Sequence, residues 1–329
     1  MPLTVMLAMD EATARQVMTD QVRRRLAAVA TVLPDRPDAT FEPHREALGQ
    51  VEVLLTGWGC PPITPEVLDA APRLRAVVHA AGSVKTFADR EVLERGVQVS
   101  SAVTANAVPV AEFAVAAIVL AGKRAFRLAA HYRRDRSTPD LSAVGRLGNY
   151  RATIGLIGAS RIGRMVADRL RGFDLDVLVS DPYLDDAAAL GATGCDLDTL
   201  FARSDVVSIH APLLPGSTGL VNAALLARMR DGAVLVNTAR GAIVDQAALE
   251  RECASGRLDA VLDVTDPEPL PPDSALWDLP NVFVTPHLAG ALGNEIERLG
   301  ELAVREIEQL AANRPLQHAI RAEDWDRIA

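Results

Sequence analysis

"TIGLIGASRIGRMVADRL", residues 153–170, decides the fold of this chain. An apolar run ends at Gly158, and Ile162, Val166 and Leu170 then recur at helical spacing. A continuous apolar run followed by helical periodicity is typical of a buried strand, a tight turn and an amphipathic helix. The stretch therefore predicts one strand–turn–helix unit of a parallel sheet.

The turn inside this stretch carries a glycine motif. Gly158 and Gly163 occupy the first and third positions of G-x-G-x-x-G, and Ser160 occupies the middle one. Asp181 ends the next predicted strand, where an acidic residue can bind the ribose hydroxyls of a dinucleotide. In that fold the pyrophosphate rests on backbone N–H groups at the helix N-terminus. The glycines could instead mark an ordinary turn, but the context favours a dinucleotide site, and the Ser160 hydroxyl could donate to a phosphate.

The rest of the chain repeats the alternation of strands and helices. Alternating elements of this kind predict an α/β fold with parallel sheets. The predicted strands are "LTVMLAM", "VEVLLTG", "LRAVVHAAG" and "VQVSSAV", followed by "TIGLIG", "DVLVSD", "DVVSIHA", "AVLVNT", "DAVLDV" and "NVFVT". The last segment, "NEIERLGELAVREIEQLAANRP", predicts a long amphipathic helix.

A length of 329 residues suits two domains. Between the two sets of strands lies "NAVPVAEFAVAAIVLAGKRAF", which predicts a helix apolar nearly all round and buried between domains or subunits. Pro109 suits the first turn of that helix, where its missing N–H leaves no hydrogen bond unmade. The polar stretch "RDRSTPDLSAVGRLGNYR" reads as the connection to the second α/β unit.

Composition excludes several classes of function. The net charge of −9 argues against nucleic acid and anionic membranes as partners. Cys60, Cys195 and Cys253 form no C-x-x-C pair, which predicts no structural metal site and fits a reducing cytoplasm. Asp10 and Glu11 come too early for a signal peptide, and the longest apolar run is about half a membrane span. We therefore expect a cytoplasmic protein.

Three polar side chains follow the last three predicted strands. Arg240 follows "AVLVNT", Glu268 follows "DAVLDV", and His287 follows "NVFVT". Each has a structural alternative: a helix cap, a turn residue beside prolines and a packing histidine. Since ligands bind at the carboxyl ends of parallel strands, the three together predict a site at the same edge as the phosphate turn.

Hydride transfer to a 2-oxo acid needs these three kinds of group. An arginine binds the carboxylate in a bidentate manner and polarises the carbonyl. A histidine protonates the nascent alkoxide. A carboxylate behind the histidine fixes its tautomer and stabilises the imidazolium. Strand and proline would aim the His287 ring into the cleft, and the small residues after it would leave room for nicotinamide and substrate.

At the level of whole blocks, the sequence resembles the D-isomer-specific 2-hydroxyacid dehydrogenase family. The resemblance covers most of the chain, and the "VNTARG" and "PEPLP…TPH" blocks are highly specific together. The matching blocks are "NAVPVAEF", "GLIGASRIG", "HAPLLPGSTGLVN", "MRDGAVLVNTARGAIVDQAAL" and "LDVTDPEPLPPDSALWDLPNVFVTPHLAG".

The resemblance implies a two-domain molecule. A Rossmann-type doubly wound sheet, residues 104–290, binds NAD and is inserted into a flavodoxin-like substrate domain made of residues 1–103 and 291–329. The partner is a small 2-oxo or D-2-hydroxy acid. Family members are usually homodimers joined through the NAD-binding domains. Asp181 favours NAD over NADP, because its charge would repel the 2′-phosphate.

The resemblance also implies site residues. Arg240, Glu268 and His287 would be catalytic, and Asp263 would bind the nicotinamide carboxamide. The other implied cofactor residues are Gly158, Ser160, Arg161, Ile162, Gly163, Asp181, His210, Pro212, Thr238 and Ala239, besides His287 itself. Asn106, Arg240 and the backbone at Ser83 and Val84 would bind the substrate.

Some residues depart from the family pattern and leave alternatives open. Ser160 replaces the usual glycine, and Lys85 stands where Asp is frequent, so Lys85 could hold a second anionic group of the substrate or lie in solvent. Trp58 and Cys60 could also line the pocket. Formate and phosphite dehydrogenases, and a non-enzymatic NAD(H)-sensing protein, share the scaffold and remain alternative readings.

Overall fold

The chain forms two compact units. The structure, a computed structural model, describes residues 2–34, 37–141 and 147–328. Unit 1 comprises Met1–Ala107 and Ala291–Ala329, and unit 2 comprises Val108–Gly290. Unit 1 is thus discontinuous in sequence, and the division falls slightly later than the boundary drawn after residue 103. Strands and helices are numbered along the chain.

Unit 1 contains a five-stranded sheet, parallel throughout, in the order β2-β1-β3-β4-β5. This is the strand order of flavodoxin-like folds, so the expected topology is confirmed. The strands are β1 (Leu3–Ala8), β2 (Ala30–Val32), β3 (Val53–Thr56), β4 (Ala76–His79) and β5 (Gln98–Ser101).

Helices cover both faces of this sheet. The helices of unit 1 are α1 (Glu11–Val17), α2 (Asp20–Val29), α3 (Arg45–Leu48), α4 (Pro65–Ala70), α5 (Glu91–Glu94) and α12 (Ile296–Ala311). Val5 and Leu7 face one apolar cluster, whereas Met6 and Ala8 face the other, because successive side chains of a strand point to opposite faces. The predicted C-terminal helix α12 packs on α1 and α2.

Unit 2 contains a seven-stranded parallel sheet in the order β12-β11-β10-β9-β6-β7-β8. The strands are β6 (Ala152–Ile157), β7 (Leu175–Ser180), β8 (Thr193–Gly194), β9 (Val206–Ile209), β10 (Val234–Asn237), β11 (Asp259–Leu262) and β12 (Val282–Val284). The strand order reverses between β6 and β9, as in the Rossmann fold, and ligands bind beyond the carboxyl ends of strands at such a point. The predicted doubly wound sheet is confirmed.

The helices of unit 2 are α7 (Ala125–Asp135), α8 (Arg161–Leu170), α9 (Leu197–Arg203), α10 (Ala223–Arg228) and α11 (Gln246–Ala254). They belong to two apolar clusters, α8 to one and α9, α10 and α11 to the other. Helix α8 buries Gly163, Val166, Ala167 and Leu170. These residues lie on one helix face, so the helical spacing of apolar residues within 153–170 corresponds to a packed face.

Helix α6 (Val103–Gly122) connects the two units. It is long and apolar enough to cross a membrane, but 44% of its most apolar window is buried within the protein. Ala114, Ile118 and Ala121 pack in the same cluster as residues of the unit 2 sheet, which accounts for the apolar composition.

The sequence-based placement of Pro109 in the first turn is wrong, because α6 begins at Val103 and Pro109 lies inside the helix. A proline there has no N–H to donate to the carbonyl of Ala105. The boundary between the units, Ala107/Val108, falls directly before it. The helix continues through this position although one of its hydrogen bonds is missing.

Two strands escaped sequence analysis. Strand β2 has three residues and β8 has two, and both lie at the edge of a sheet. Strand β2 follows directly on the end of α2 and β8 is Thr-Gly, so neither shows the bounded apolar run that marks a strand. The predicted polar connection of residues 134–151 falls partly on residues 142–146, which lie outside the described residues.

Candidate functional site

The glycine turn of unit 2 leaves no room for a side chain at Gly158 or Gly163. Gly158 has φ +90°, and a Cβ there would lie 2.7 Å from the amide nitrogen of Ala211. A Cβ at Gly163 would lie 2.1 Å from the carbonyl oxygen of Gly158. Both glycines are therefore required by the close approach of β6, α8 and the segment after β9.

Ser160 occupies the N-cap position of α8 with an extended backbone, φ −73° and ψ −152°. Its exposed side chain makes no capping hydrogen bond. The first helical bond runs from Arg164 N to Ser160 O, at 3.1 Å, so the amides of Arg161, Ile162 and Gly163 have no partner within the helix. These amides and the Ser160 hydroxyl are donors suited to a pyrophosphate.

Asp181 follows β7 and is tied to the same turn. Its Oδ2 accepts the N–H of Ala159 at 2.6 Å, and its Oδ1 accepts the N–H of Tyr183 at 2.7 Å. A carboxylate oxygen can accept more than one hydrogen bond. Asp181 can therefore hold the turn and still accept from ribose hydroxyls.

Two polar atoms near the ends of β9 and β10 have no partner among the described residues: Nδ1 of His210 and Oγ1 of Thr238. His210 is buried, which lowers its pKa to about 4, and its Nε2 lies 3.0 Å from Ser208 Oγ. Buried polar atoms ordinarily have hydrogen-bond partners. Together with the glycine turn and Asp181, these orphaned atoms fit a polar ligand such as NAD at this edge.

Arg240 lies in a turn that the buried side chain of Asn237 stabilises. Asn237, 1% exposed, accepts the N–H of Ala239 at 3.0 Å and donates its Nδ2 to the Arg240 carbonyl at 3.0 Å. The next residue is Gly241, where a Cβ would lie 2.0 Å from the carbonyl oxygen of Thr265. The turn after β10 thus fits directly against the loop after β11. The Arg240 side chain is exposed, and one N–H donates to the Ala239 carbonyl at 2.7 Å.

The loops after β11 and β12 bring an acid and a base together. Nδ1 of His287 lies 2.7 Å from Oε1 of Glu268, and the two side chains are 48% and 44% exposed. His287 has φ +52°, a conformation that L residues seldom adopt. The pair opens to solvent, with Nδ1 engaged and Nε2 as the remaining ring nitrogen.

Asp263 holds the loop in which His287 lies. Its buried carboxylate accepts the hydroxyl of Thr285 at 2.6 Å and the N–H groups of Leu288 and Ala289 at 2.8 and 2.9 Å. The N–H of His287 donates to the Asp263 carbonyl at 3.0 Å. These bonds fix the backbone on both sides of His287 and sustain its left-handed conformation. The geometry gives Asp263 a positioning role, and its contact with nicotinamide stays a prediction.

The expected substrate residues Ser83, Val84 and Asn106 lie in unit 1. After β4 the chain makes a turn in which Ser83 Oγ accepts the N–H of Lys85 at 3.3 Å. Among the residues that the structure describes, the N–H groups of Gly82, Ser83 and Val84 meet no acceptor within the protein. Consecutive free amides of this kind suit an anion.

Asn106 lies beside the same turn. A Cβ at Gly82 would lie 3.8 Å from Nδ2 of Asn106, and Oδ1 of Asn106 accepts the N–H of Ala291 at 2.9 Å. The carbonyl end of the Asn106 amide therefore anchors the chain after the His287 loop, while its amino end faces the turn.

The remaining candidates are distributed as follows. Arg240, Glu268 and His287 follow adjacent strands β10, β11 and β12, at the same edge of the unit 2 sheet as the glycine turn and Asp181. Pro212 and Ala239 lie half-buried in the loops after β9 and β10. Trp58, 42% exposed, and Cys60 lie in the loop after β3 of unit 1.

Within residues 2–34, 37–141 and 147–328, no group of His, Cys, Asp and Glu side chains could hold a metal ion.

Sequence reasoning missed Asn237 and Thr285. Both are small polar residues next to a catalytic candidate, and both turn out to hold the backbone that carries it. Asn237 stands in the specific "VNTARG" block and Thr285 directly precedes Pro286, so a polar residue at the end of an apolar strand was the available signal.

Comparison with known proteins gives the same picture. A family model described as "D-isomer specific 2-hydroxyacid dehydrogenase, NAD binding domain" matches residues 115–289. The D-3-phosphoglycerate dehydrogenase of Mycobacterium tuberculosis is 37% identical over 241 residues, covering 72% of this chain and 45% of that protein. The chain thus spans about half the length of the curated relatives of that name.

Two further relatives match over more of their own length. The glyoxylate reductase of Korarchaeum cryptofilum is 34% identical over 251 residues, covering 75% of this chain and 76% of that protein. The crystal structure of apo D-mandelate dehydrogenase from Rhodotorula graminis is 25% identical, with a TM-score of 0.80 and coverage of 98% of both chains. With the matched NAD-binding domain and the two-unit fold, this chain belongs to the D-isomer specific 2-hydroxyacid dehydrogenase family.

Proposed function

We propose that the chain is an NAD(H)-dependent oxidoreductase that interconverts a 2-oxo acid and the corresponding D-2-hydroxy acid. The observation that carries the proposal is the 2.7 Å contact between His287 Nδ1 and Glu268 Oε1, at the sheet edge that also presents Arg240 and the glycine turn. An ion-paired imidazole beside a nucleotide turn is suited to moving a proton while a hydride is transferred.

Arg240 is the proposed anchor of the substrate. Its guanidinium is exposed and donates one N–H to the Ala239 carbonyl. Its other N–H donors can bind the carboxylate and the carbonyl oxygen of the substrate. A planar guanidinium pairs with a carboxylate through two parallel hydrogen bonds. Because Asn237 donates a hydrogen bond to the Arg240 carbonyl, the backbone from which the Arg240 side chain extends is held in place.

His287 and Glu268 are the proposed proton-transfer pair. With Nδ1 held by Glu268, the proton moves at Nε2: the imidazolium gives it to the nascent alkoxide in reduction, and the neutral ring takes it in oxidation. Glu268 keeps the ring in one orientation and stabilises its charged form. Asp263 holds the backbone of His287 through Leu288 and Ala289.

The cofactor NAD(H) supplies or accepts the hydride when bound. Gly158, Gly163 and the N-terminus of α8 fit its pyrophosphate, and Asp181 fits the adenosine ribose. The roles of Arg161, Ile162, His210, Pro212, Thr238 and Ala239 at this site remain proposals on the same basis. In unit 1, the free amides at Ser83 and Val84, with Asn106 beside them, support a role in binding the acid.

An NADH-depletion screen tests the proposed function. Glyoxylate, pyruvate, aromatic, phosphorylated and dicarboxylic 2-oxo acids are offered as substrates, since relatives bear names as different as glyoxylate reductase and D-3-phosphoglycerate dehydrogenase. Formate and phosphite are offered with NAD in parallel. Turnover of at least one 2-oxo acid, giving the D product, is the expected result.

The same screen separates the alternatives. Oxidation of formate or phosphite with no 2-oxo acid reduced would replace the proposal with the alternative enzyme class. NADH binding without any turnover, in a protein shown to be folded, would instead indicate a sensor of NAD(H).

A homodimer joined through unit 2 and a cytoplasmic location also remain proposals. Leu120 and Tyr132, on α6 and α7 of unit 2, are 44% and 59% exposed, and apolar side chains in such positions are suited to a partner surface. Free Cys60, Cys195 and Cys253 fit a reducing compartment. Light scattering of the purified chain gives the mass; replacing Leu120 and Tyr132 by charged residues should lower it to that of one chain.

A further inference from the structure

Residues 317–328, which we call the strap, run along the edge of the unit 1 sheet. The Ile320 N–H donates to the Val99 carbonyl at 2.7 Å, and Ala319 pairs with Ser100 in an antiparallel bridge. The strap thus extends the sheet beyond its edge strand β5.

The start of the strap is fixed by a buried carboxylate. Glu306 on α12 is fully buried, and its two oxygens accept the N–H groups of Gln317 and His318 at 3.2 and 3.3 Å. A buried carboxylate without such partners would be strongly unfavourable, so these bonds tie the strap firmly to α12.

The far end of the strap reaches the turn after β4. Trp325 is 7% exposed and lies in the same apolar cluster as Val84 and Phe87, with Ile320 and Ile328 packed against it. Val84, whose backbone N–H is free, is fully buried in this cluster, to which the strap contributes Trp325.

A hydrogen bond fixes the other side of the turn. Nζ of Lys85 donates to the carbonyl of Ile328 at 2.7 Å. The turn of residues 82–85 is therefore tied to Ile328 of the strap through Lys85, and its Val84 belongs to the apolar cluster that also contains Trp325. The Lys85 ammonium therefore links two parts of the backbone, a role that the sequence analysis did not predict for Lys85.

We propose that the strap is a positioning element for substrate binding: through Trp325 and the Lys85–Ile328 bond it holds the amides of Ser83 and Val84 in place for the carboxylate of the substrate. The inference rests on the proposed function of that turn. It makes Lys85, through its bond to Ile328 of the strap, a positioning residue that does not contact a second anionic group of the substrate.

Kinetics of variants at Lys85 and Trp325 test the proposal. Lys85→Met should raise KM for every accepted 2-oxo acid by about three- to tenfold, because small misplacement of a binding group is costly. The kcat and the NADH dissociation constant should stay close to those of the wild type. Lys85→Arg, which can still donate to the Ile328 carbonyl, should restore KM. Trp325→Ala should act in the same direction, and Trp325→Phe should retain most of the affinity.

Arg90→Met is the matched control. Arg90 pairs with Asp326 of the strap at 3.4 Å through exposed side chains, but it lies outside the turn of residues 82–85, so KM should not change. A KM unchanged in both Lys85→Met and Trp325→Ala would overturn the proposal. A rise in KM confined to substrates with a second negative charge would also overturn it, because Lys85 would then be a ligand of the substrate.

Hydrogen–deuterium exchange separates this inference from the proposed function. The peptide covering residues 82–88 should exchange faster in Lys85→Met and Trp325→Ala than in the wild type and in Arg90→Met. If the wild type reduces no 2-oxo acid, the proposed function fails while this exchange comparison still decides whether the strap positions the turn. Equal exchange in all four proteins would refute the positioning role.

Discussion

His287 and Glu268 meet at 2.7 Å although they belong to loops after different strands, β12 and β11. The contact depends on two backbone devices: Asp263 fixes the His287 loop, and Gly241 lets the Arg240 turn sit against Thr265 just before Glu268. His287, Glu268 and Arg240 are therefore positioned by connected loops of unit 2.

Replacement of His287 by alanine should lower kcat by about two to four orders of magnitude, which is the usual contribution of general acid–base catalysis. NADH should still bind, since the glycine turn and Asp181 are untouched; fluorescence titration measures this. His44→Ala is the matched control, because His44 and Asp38 form a similar pair at 2.8 Å in unit 1. A loss of kcat equal in both variants would remove His287 from its proposed role.

Replacement of Glu268 by glutamine keeps the shape of the side chain and removes its charge. A neutral amide stabilises no charge on the His287 ring during proton transfer, so kcat should fall by about a hundredfold in both directions. The affinity for NADH should change little. Steady-state kinetics in both directions provide the measurement. An unchanged kcat would show that the carboxylate charge does not act on the ring.

Both sheets could be predicted because long apolar runs alternate with helical periodicity. Strands β2 and β8 could not, because β2 follows directly on the last residue of α2 and β8 is only Thr-Gly. Strand β12 is as short as β2, but it is entirely apolar and is flanked by Pro280 and Pro286. The three catalytic candidates follow strands that the sequence displays plainly. Asp263 accepts hydrogen bonds from the N–H groups of Leu288 and Ala289, far away in sequence, and bonds of that kind leave no spacing that sequence alone can reveal. Asn237 bonds only to Ala239 and Arg240 close by, so its position at the end of an apolar strand was a usable local signal.

Replacement of Asp181 by asparagine should narrow the preference for NADH over NADPH. The wild-type preference is expected to be about a hundredfold, from like-charge repulsion of the 2′-phosphate. The ratio of kcat/KM for the two cofactors measures it. Asp185→Asn, an exposed neighbour four residues on, should leave the ratio unchanged. Equal use of both cofactors by the wild type would contradict the role given to Asp181.

Replacement of Asn237 by alanine should loosen the turn that carries Arg240. Two hydrogen bonds of a buried side chain are lost, to Ala239 N and Arg240 O, and KM for the 2-oxo acid should rise about tenfold. Asn237→Asp still accepts from Ala239 but turns an oxygen towards the Arg240 carbonyl at a buried position, so it should raise KM at least as much as alanine does. Steady-state kinetics and thermal unfolding distinguish a displaced Arg240 from a general loss of stability. If the melting temperature falls while KM does not change, Asn237 stabilises the fold and does not position Arg240.

The acid stability of unit 1 should depend on His79. This ring is 3% exposed, its Nδ1 lies 2.9 Å from Thr56 Oγ1, and burial lowers its pKa to about 3. The folded state holds the ring neutral, whereas the unfolded chain protonates it near its ordinary pKa of about 6.5. The stabilisation is therefore complete above that value and is lost as pH falls from about 6.5 towards about 3.

Between pH 7 and pH 5 the linkage through His79 amounts to about 2 kcal/mol of unfolding free energy. His79→Gln cannot titrate, so its stability should fall by about that much less than the wild type over the same interval. Urea unfolding followed by fluorescence measures both, in a Trp277→Phe background, so that Trp58 and Trp325 of unit 1 are the reporters. Parallel losses in the two proteins would mean that His79 is protonated as readily in the folded chain as in the unfolded one, and that its burial beside Thr56 and Phe87 does not hold it neutral.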